Sequence, residues 1–243
     1  MKNVTKFSFS TKALKGIHSV HRGFLVAGCA AINDINSSMF FILSVRKGKL
    51  NEAERAYTTN YICTLFSVQS TKIHEYMKIA KIYRTKILES HPAMGARISK
   101  TLNELEMELK SENHRWIEMM RHKVASHLDI GFIDKEIGKL DRNLELGFYA
   151  SDRKFETAYD FSYEIIYKAI FSQIEGGIEK AATQLLNFVA RISEFHNQLV
   201  MEIFQQSGLM SKRTSMSVSE ENVLPIQSGL LPVLYGEPSS SVE

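Results

Sequence analysis

The sequence predicts an all-α protein, an antiparallel bundle of four or more long helices followed by a disordered C-terminal tail. Three observations carry that prediction. The chain has 243 residues of which 44% are hydrophobic, enough to fill a single sizeable core. Only four prolines and 13 glycines punctuate it, too few for a turn-rich β fold. Apolar residues recur at three- and four-residue steps over long stretches, the period of a helix face.

The first helix is expected from about His18 to Val45, ending at "RKGK" with Gly48 as its stop. Its window "GFLVAGCAAINDINSSMFFILSV" is apolar enough to suggest a membrane span. Asn33, Asp34 and Asn36 fall at its centre, where a charge costs on the order of 3 kcal/mol in a bilayer. A buried core helix is the expectation, with no membrane partner. The second helix starts at Asn51, a good N-cap, and runs to about Ser90. Its stripe is Ile62, Leu65, Phe66, Ile73, Tyr76, Met77, Ala80, Tyr83 and Ile87. Pro92 disfavours helix at His91, so "SHPAMG" separates it from a third helix, Ala93 to His127 or Leu128.

Residues 129–154 are less regular, with Asp134 expected to cap a short helix through Leu144. The fourth long segment covers Phe155 to Gln206, with a stripe from Ile166 to Ile203. Gly176-Gly177 should bend or split it. From Ser207 to Glu243 the chain holds nine serines and three of the four prolines, the composition of a disordered tail. Within it, "VLPIQSGLLPVLYG" is apolar enough to dock on the body or on a partner. The organisation is therefore a helical domain over residues 1–206 and a tail over 207–243.

Charge points weakly toward phosphate-bearing partners. The net charge is +3. The tail sets Lys212 and Arg213 against Glu220, Glu221, Glu237 and Glu243, a net of −2, so residues 1–206 carry +5. The isolated Cys29 and Cys63 lie in apolar stretches and read as buried, reduced thiols of a cytoplasmic protein. "MKNVTKFSFS" lacks the apolar core of a secretion signal.

Several chemistries lack their motif. There is no G-x-x-x-x-G-K-[ST] and no G-x-G-x-x-G. No histidine has an acid three residues before it, so the Glu-x-x-His pairs of a di-iron bundle are missing. H-E-x-x-H is absent as well, and His18-x-x-His21 has no third ligand nearby. No metal or cofactor is expected.

What remains is "RWIEMMRHKVASHLDIGF", residues 115–132. On a regular helix His114, Glu118, Arg121 and His122 share one face, while Trp116, Met120, Val124 and His127 share the apolar one. Periodicity alone makes the first face solvated and His127 a core histidine. A functional reading needs a guanidinium to bind phosphate and an imidazole to move a proton near neutral pH. Arg121 and His127 supply these types. On a straight helix they lie about 120° and about 9 Å apart, so they converge only if the helix bends or ends between them, or if a second subunit supplies the other half.

"RHKVASH" resembles the R-x(4–6)-H signature of the HEPN superfamily, with its polar residue directly after the arginine. The R-x(4–6)-H pattern also occurs at Arg84–His91, Arg115–His122 and Arg191–His196. Arg121–His127 is preferred for its local context, just before the irregular section. The resemblance implies an all-α bundle acting as a homodimeric, metal-independent endoribonuclease in toxin–antitoxin, abortive-infection or stress defence. RNA would be its substrate, and an antitoxin or regulatory protein its partner. Arg121 would stabilise the phosphorane-like transition state and His127 would be acid or base. His122, Lys123, Glu118 and Asp129 would support them, or would be surface charges. HEPN toxins adenylylated by a partner nucleotidyltransferase carry tyrosine two residues after the histidine. Asp129 stands there instead, so that regulation is not expected. The alternative function is a non-catalytic all-α binding module, whose contacts come from the basic N-terminus and the apolar part of the tail.

Overall fold

The protein is described from a computed structural model. It covers residues 2–7, 9–44, 51–125, 129–141, 146, 160–171, 174, 176–208 and 213–218.

The fold is an all-α helical bundle. After strand β1 (Lys2–Phe7) come α1 (Thr11–Gly16), α2 (Ser19–Ser44), α3 (Glu52–Ser90) and α4 (Pro92–Leu109). Then follow α5 (Arg115–Met119), a π-helical turn (Met120–Ala125), α6 (Ile130–Ile137), α7 (Asp160–Phe171), α8 (Gly177–Gln206) and strand β2 (Arg213–Val218). At 39 residues, α3 is about 58 Å long and is the spine. It packs against α2, α4, α5, the π turn and α7, while α8 packs on α2 and α7.

Most boundaries follow from capping chemistry visible in the sequence. Asn51 closes a full capping box: its side chain accepts from the Glu54 N–H at 2.9 Å, and the Glu54 carboxylate accepts from the Asn51 N–H at 2.8 Å. Pro92 opens α4 at its first turn, where its missing N–H costs nothing. The turn brings α3 and α4 together so tightly that a Cβ on Gly95 would sit 2.8 Å from the Leu88 Cα. Gly176 adopts φ +88° and Gly177 φ +58°, the left-handed conformation that separates α7 from α8.

The core is built from the expected stripes. Every apolar residue named for α3 is buried except Ile62, which is half-buried. Phe188, Ile192, Leu199 and Ile203 do the same for α8. In α2, Phe24, Leu25, Ile32, Ile35, Met39 and Ile42 face inward, and Asn33, Asp34 and Asn36 are exposed. Asp34 pairs with Lys72 of α3 at 3.1 Å. By length and composition, Ser19–Ile42 could cross a membrane. In the fold, its apolar face is spent on α3 and α8. Cys63 is buried, Cys29 half-buried, and neither is in a disulfide.

Three expectations are corrected. The third helix is not continuous to His127: it stops at Leu109 and restarts at Arg115. The cause lies in "KSENH", where Ser111 turns its hydroxyl onto the Glu108 carbonyl at 2.6 Å and its own carbonyl accepts from the Arg115 N–H at 2.9 Å. The short helix is capped by Asp129, not Asp134, because the Asp129 carboxylate reaches the Phe132 N–H at 2.9 Å. The segment read as a tail also contributes structure, since β2 pairs antiparallel with β1, with Lys2 opposite Val218 and Phe7 opposite Arg213. A serine-rich composition hid a β-capable "RTSMSV" whose partner lies at the far end of the chain. Gly48, Leu144 and the apolar tail motif lie outside the described residues.

Candidate functional site

The motif is held in place by aromatic packing. Trp116, Ile117 and Met120 are buried. The Trp116 ring meets Phe66 of α3 at 5.3 Å and Phe171 of α7 at 5.4 Å, and those two meet each other at 5.7 Å. This three-ring contact pins α5 between α3 and α7.

Immediately after it the backbone changes hand-over-hand spacing. Met120–Ala125 is π-helical, with i→i+5 bonding that accommodates one more residue than an α turn. Such turns are rare and recur at functional sites. The regular spacing used to sort the motif into faces therefore fails here. Met120 stays in the core while Arg121 is half-buried and His122 exposed.

Arg121, His122 and Glu118 come together. The Arg121 Nη2 contacts the His122 Nε2. A guanidinium only donates, so in that contact His122 accepts through Nε2. The Glu118 carboxylate lies 3.9 Å from the same nitrogen. The Arg121 Nε is buried with no hydrogen-bond partner among the described residues. Arg115, Glu118, Met119, His122 and Lys123 line a cavity of about 430 Å³.

Lys123 and Asp129 serve one another instead. Their side chains meet at 2.5 Å, and Lys123 also lies 5.8 Å from the Phe132 ring centroid. Asp129 is thus at once the cap of α6 and the anchor of Lys123. The Lys123 ammonium, followed by the Phe132 N–H, holds its carboxyl below the usual carboxylate range. His127 lies outside the described residues. The continuous helix that set it about 120° from Arg121 is replaced by the π turn and by α6, which starts afresh at Ile130.

His114 does not join this face. It stands at the start of α5, buried, with its ring 5.2 Å from Phe188. Its Nε2 is 3.8 Å from the Glu108 carboxylate. Burial lowers its pKa.

A residue that local spacing did not point to is His74 of α3. It is half-buried, on the helix that packs against the π turn. Its Nδ1 lies 2.9 Å from the Ser70 carbonyl. A carbonyl only accepts, so Nδ1 carries the hydrogen and Nε2 the lone pair. Burial lowers the His74 pKa, partly opposed by the Ser70 carbonyl. The Arg121 charge, and more weakly that of His122, push it further down, and Glu118 pushes it up.

A larger cavity of about 610 Å³ flanks the π turn on its other side, between α3, α6 and α7. Its walls are mostly apolar, among them Val68, Val124, Ile133, Ile137 and Ile166. Ionic chemistry belongs to the smaller, charged cavity; the larger one is shaped for apolar contact. Among the described residues no three histidine, cysteine, aspartate or glutamate side chains are grouped to hold a metal ion. His21 instead bonds the Tyr83 hydroxyl through Nδ1 at 2.7 Å. No family model, no curated protein and no solved structure matches this chain.

Proposed function

We propose that the chain is an HEPN-like, metal-independent endoribonuclease. It would act as a cytoplasmic homodimer in toxin–antitoxin, abortive-infection or stress defence, under an antitoxin or regulatory partner. The observation that carries this reading is that "RHKVA" occupies a π-helical turn on which Arg121 and His122 touch. In the proposed reaction the RNA 2′-oxygen bonds to the neighbouring phosphorus and the bond to the 5′-oxygen breaks, leaving a 2′,3′-cyclic phosphate and a 5′-hydroxyl. Arg121 stabilises the charge that builds on the phosphoryl oxygens. His122 holds the guanidinium in place, and His127, by the motif, is acid or base.

The test is cleavage of a mixed RNA pool in EDTA with end-group analysis, comparing wild type with Arg121→Ala and His127→Ala. Wild-type cleavage to cyclic phosphates should fall by about 10²–10³-fold on loss of Arg121. No wild-type cleavage, or cleavage that persists at the wild-type level in both variants, removes the assignment. A second reading, binding without cleavage, draws on the apolar cavity and on the exposure of Val68 and Ile137 at its edge.

A further inference from the structure

We infer that the cavity of about 610 Å³ between α3, α6 and α7 binds a small amphiphile, an apolar body that carries a protonated amine. The inference rests on the reading of that cavity as a binding site, and it holds whether or not the chain cleaves RNA.

Much of the lining is apolar. It includes Val124 of the π turn, Ile133 and Ile137 of α6, and Ile165 and Ile166 of α7, the last two buried. The volume lies within the roughly 300–1,000 Å³ of small-molecule sites, which are mostly apolar with a few polar groups that fix orientation. Most of those polar groups come from α3. Thr64, Ser67, Thr71 and Glu75 line the cavity. At steps of three and four residues they share one face of the helix, over about 16 Å of its length.

This row is built to accept hydrogen bonds. Thr64 donates its hydroxyl hydrogen to the Asn60 carbonyl at 3.0 Å, Ser67 to the Cys63 carbonyl at 3.1 Å and Thr71 to the Ser67 carbonyl at 3.1 Å. A hydroxyl has one hydrogen, so with it spent on the helix each oxygen offers lone pairs to a ligand. Glu75 ends the row with a carboxylate. Among the described residues that line the cavity, Lys72 is the one cation. It lies 3.0 Å from Glu75 and 3.1 Å from Asp34, so one positive charge meets two negative ones and this end carries a net −1. An anionic amphiphile would meet lone pairs and excess negative charge. A hydrocarbon alone would leave the acceptors without donors. A primary ammonium, charged at neutral pH as lysine is, brings three donors and the complementary charge to the row, while its apolar body covers the isoleucines.

The experiment is calorimetric titration of the full-length protein near neutral pH with octylamine, octanol and octanoate, each below its micelle concentration. Octylamine should bind wild type about tenfold more tightly than either of the others. Shortening it toward butylamine should weaken binding by about fourfold per methylene removed. Glu75→Gln cancels the net charge and should narrow the preference for the amine. Adding Asp34→Asn leaves Lys72 uncompensated and should reverse the preference in favour of octanoate. Both carboxylates are about half exposed, so these variants should fold, as circular dichroism checks. Val68→Trp, at an exposed position on the cavity edge, should block all three probes. If octanol or octanoate binds wild type as tightly as octylamine, or the double variant keeps the amine preference, the ammonium class is overturned and the cavity remains a binding site. If no probe binds wild type, or Val68→Trp binds as wild type does, both fall.

Discussion

Acid should destabilise this fold through one histidine above all, His196 of α8. Its side chain is 3% exposed. The ring is packed at 5.5 Å from Phe24 and 5.6 Å from Tyr76, and its Cε1 would lie 3.2 Å from a Cβ at Gly28. Its Nδ1 has no hydrogen-bond partner among the described residues. Nothing around it compensates an imidazolium, so burial lowers its pKa from 6.5 to about 4. The folded value lies below the unfolded one, so the unfolded chain binds this proton first. The stability His196 confers is whole above 6.5 and is lost as pH falls from there through about 4. Over the full window the loss is on the order of 3 kcal/mol. Near pH ~5 the unfolded chain holds about 0.9 more protons at this site, a slope of about 1.2 kcal/mol per pH unit. The assay is urea unfolding followed by far-ultraviolet circular dichroism, from about pH 7 to about pH 4.5. It compares wild type with His196→Leu. Any constant cost of the substitution cancels when slopes are compared. His21, His74 and His114 are shifted the same way by burial, so the variant keeps some acid sensitivity. Its slope near pH ~5 should be shallower than wild type by about 1 kcal/mol per pH unit. Parallel curves for the two proteins would refute the reasoning and mean that water or an acid compensates the charged ring.

Two further predictions concern helix ends. Gly95→Ala places a Cβ 2.8 Å from the Leu88 backbone, which must move; a loss of about 1–3 kcal/mol in unfolding free energy is expected, and an unchanged urea midpoint would mean that α4 shifts freely. Asn51→Ala removes one arm of the capping box on α3 and should cost about 1 kcal/mol, while Asn51→Asp should recover most of it. An alanine variant as stable as wild type would show that the first turn of α3 is held by packing alone.

How much was legible in advance differs by element. The limits of α2, α3 and α8 could be read because each rests on local chemistry: an apolar period, Asn51 with Glu54, Pro92, and Gly176-Gly177. The break at Lys110–His114 was missed because serine, asparagine and histidine are tolerated inside helices. Here, Ser111 turns its hydrogen bonds onto Glu108 and Arg115 instead. The π turn was missed for a different reason. Its residues carry an ordinary helical pattern, and no local signal marks the extra residue that the π turn after the packed Trp116 takes in.

By itself, the sequence determined the all-α class, the stripes that form the core and the residue types available to handle phosphate. Periodicity and capping are short-range, and they act before any two helices meet. The tertiary structure alone decided which of those residues share a site. It set Lys123 on Asp129, left His114 under Phe188, and paired Lys2–Phe7 with Arg213–Val218. Each of these juxtapositions joins parts of the chain that local rules treat independently. They exist because burying the apolar faces of separate helices leaves few ways for their polar edges to meet.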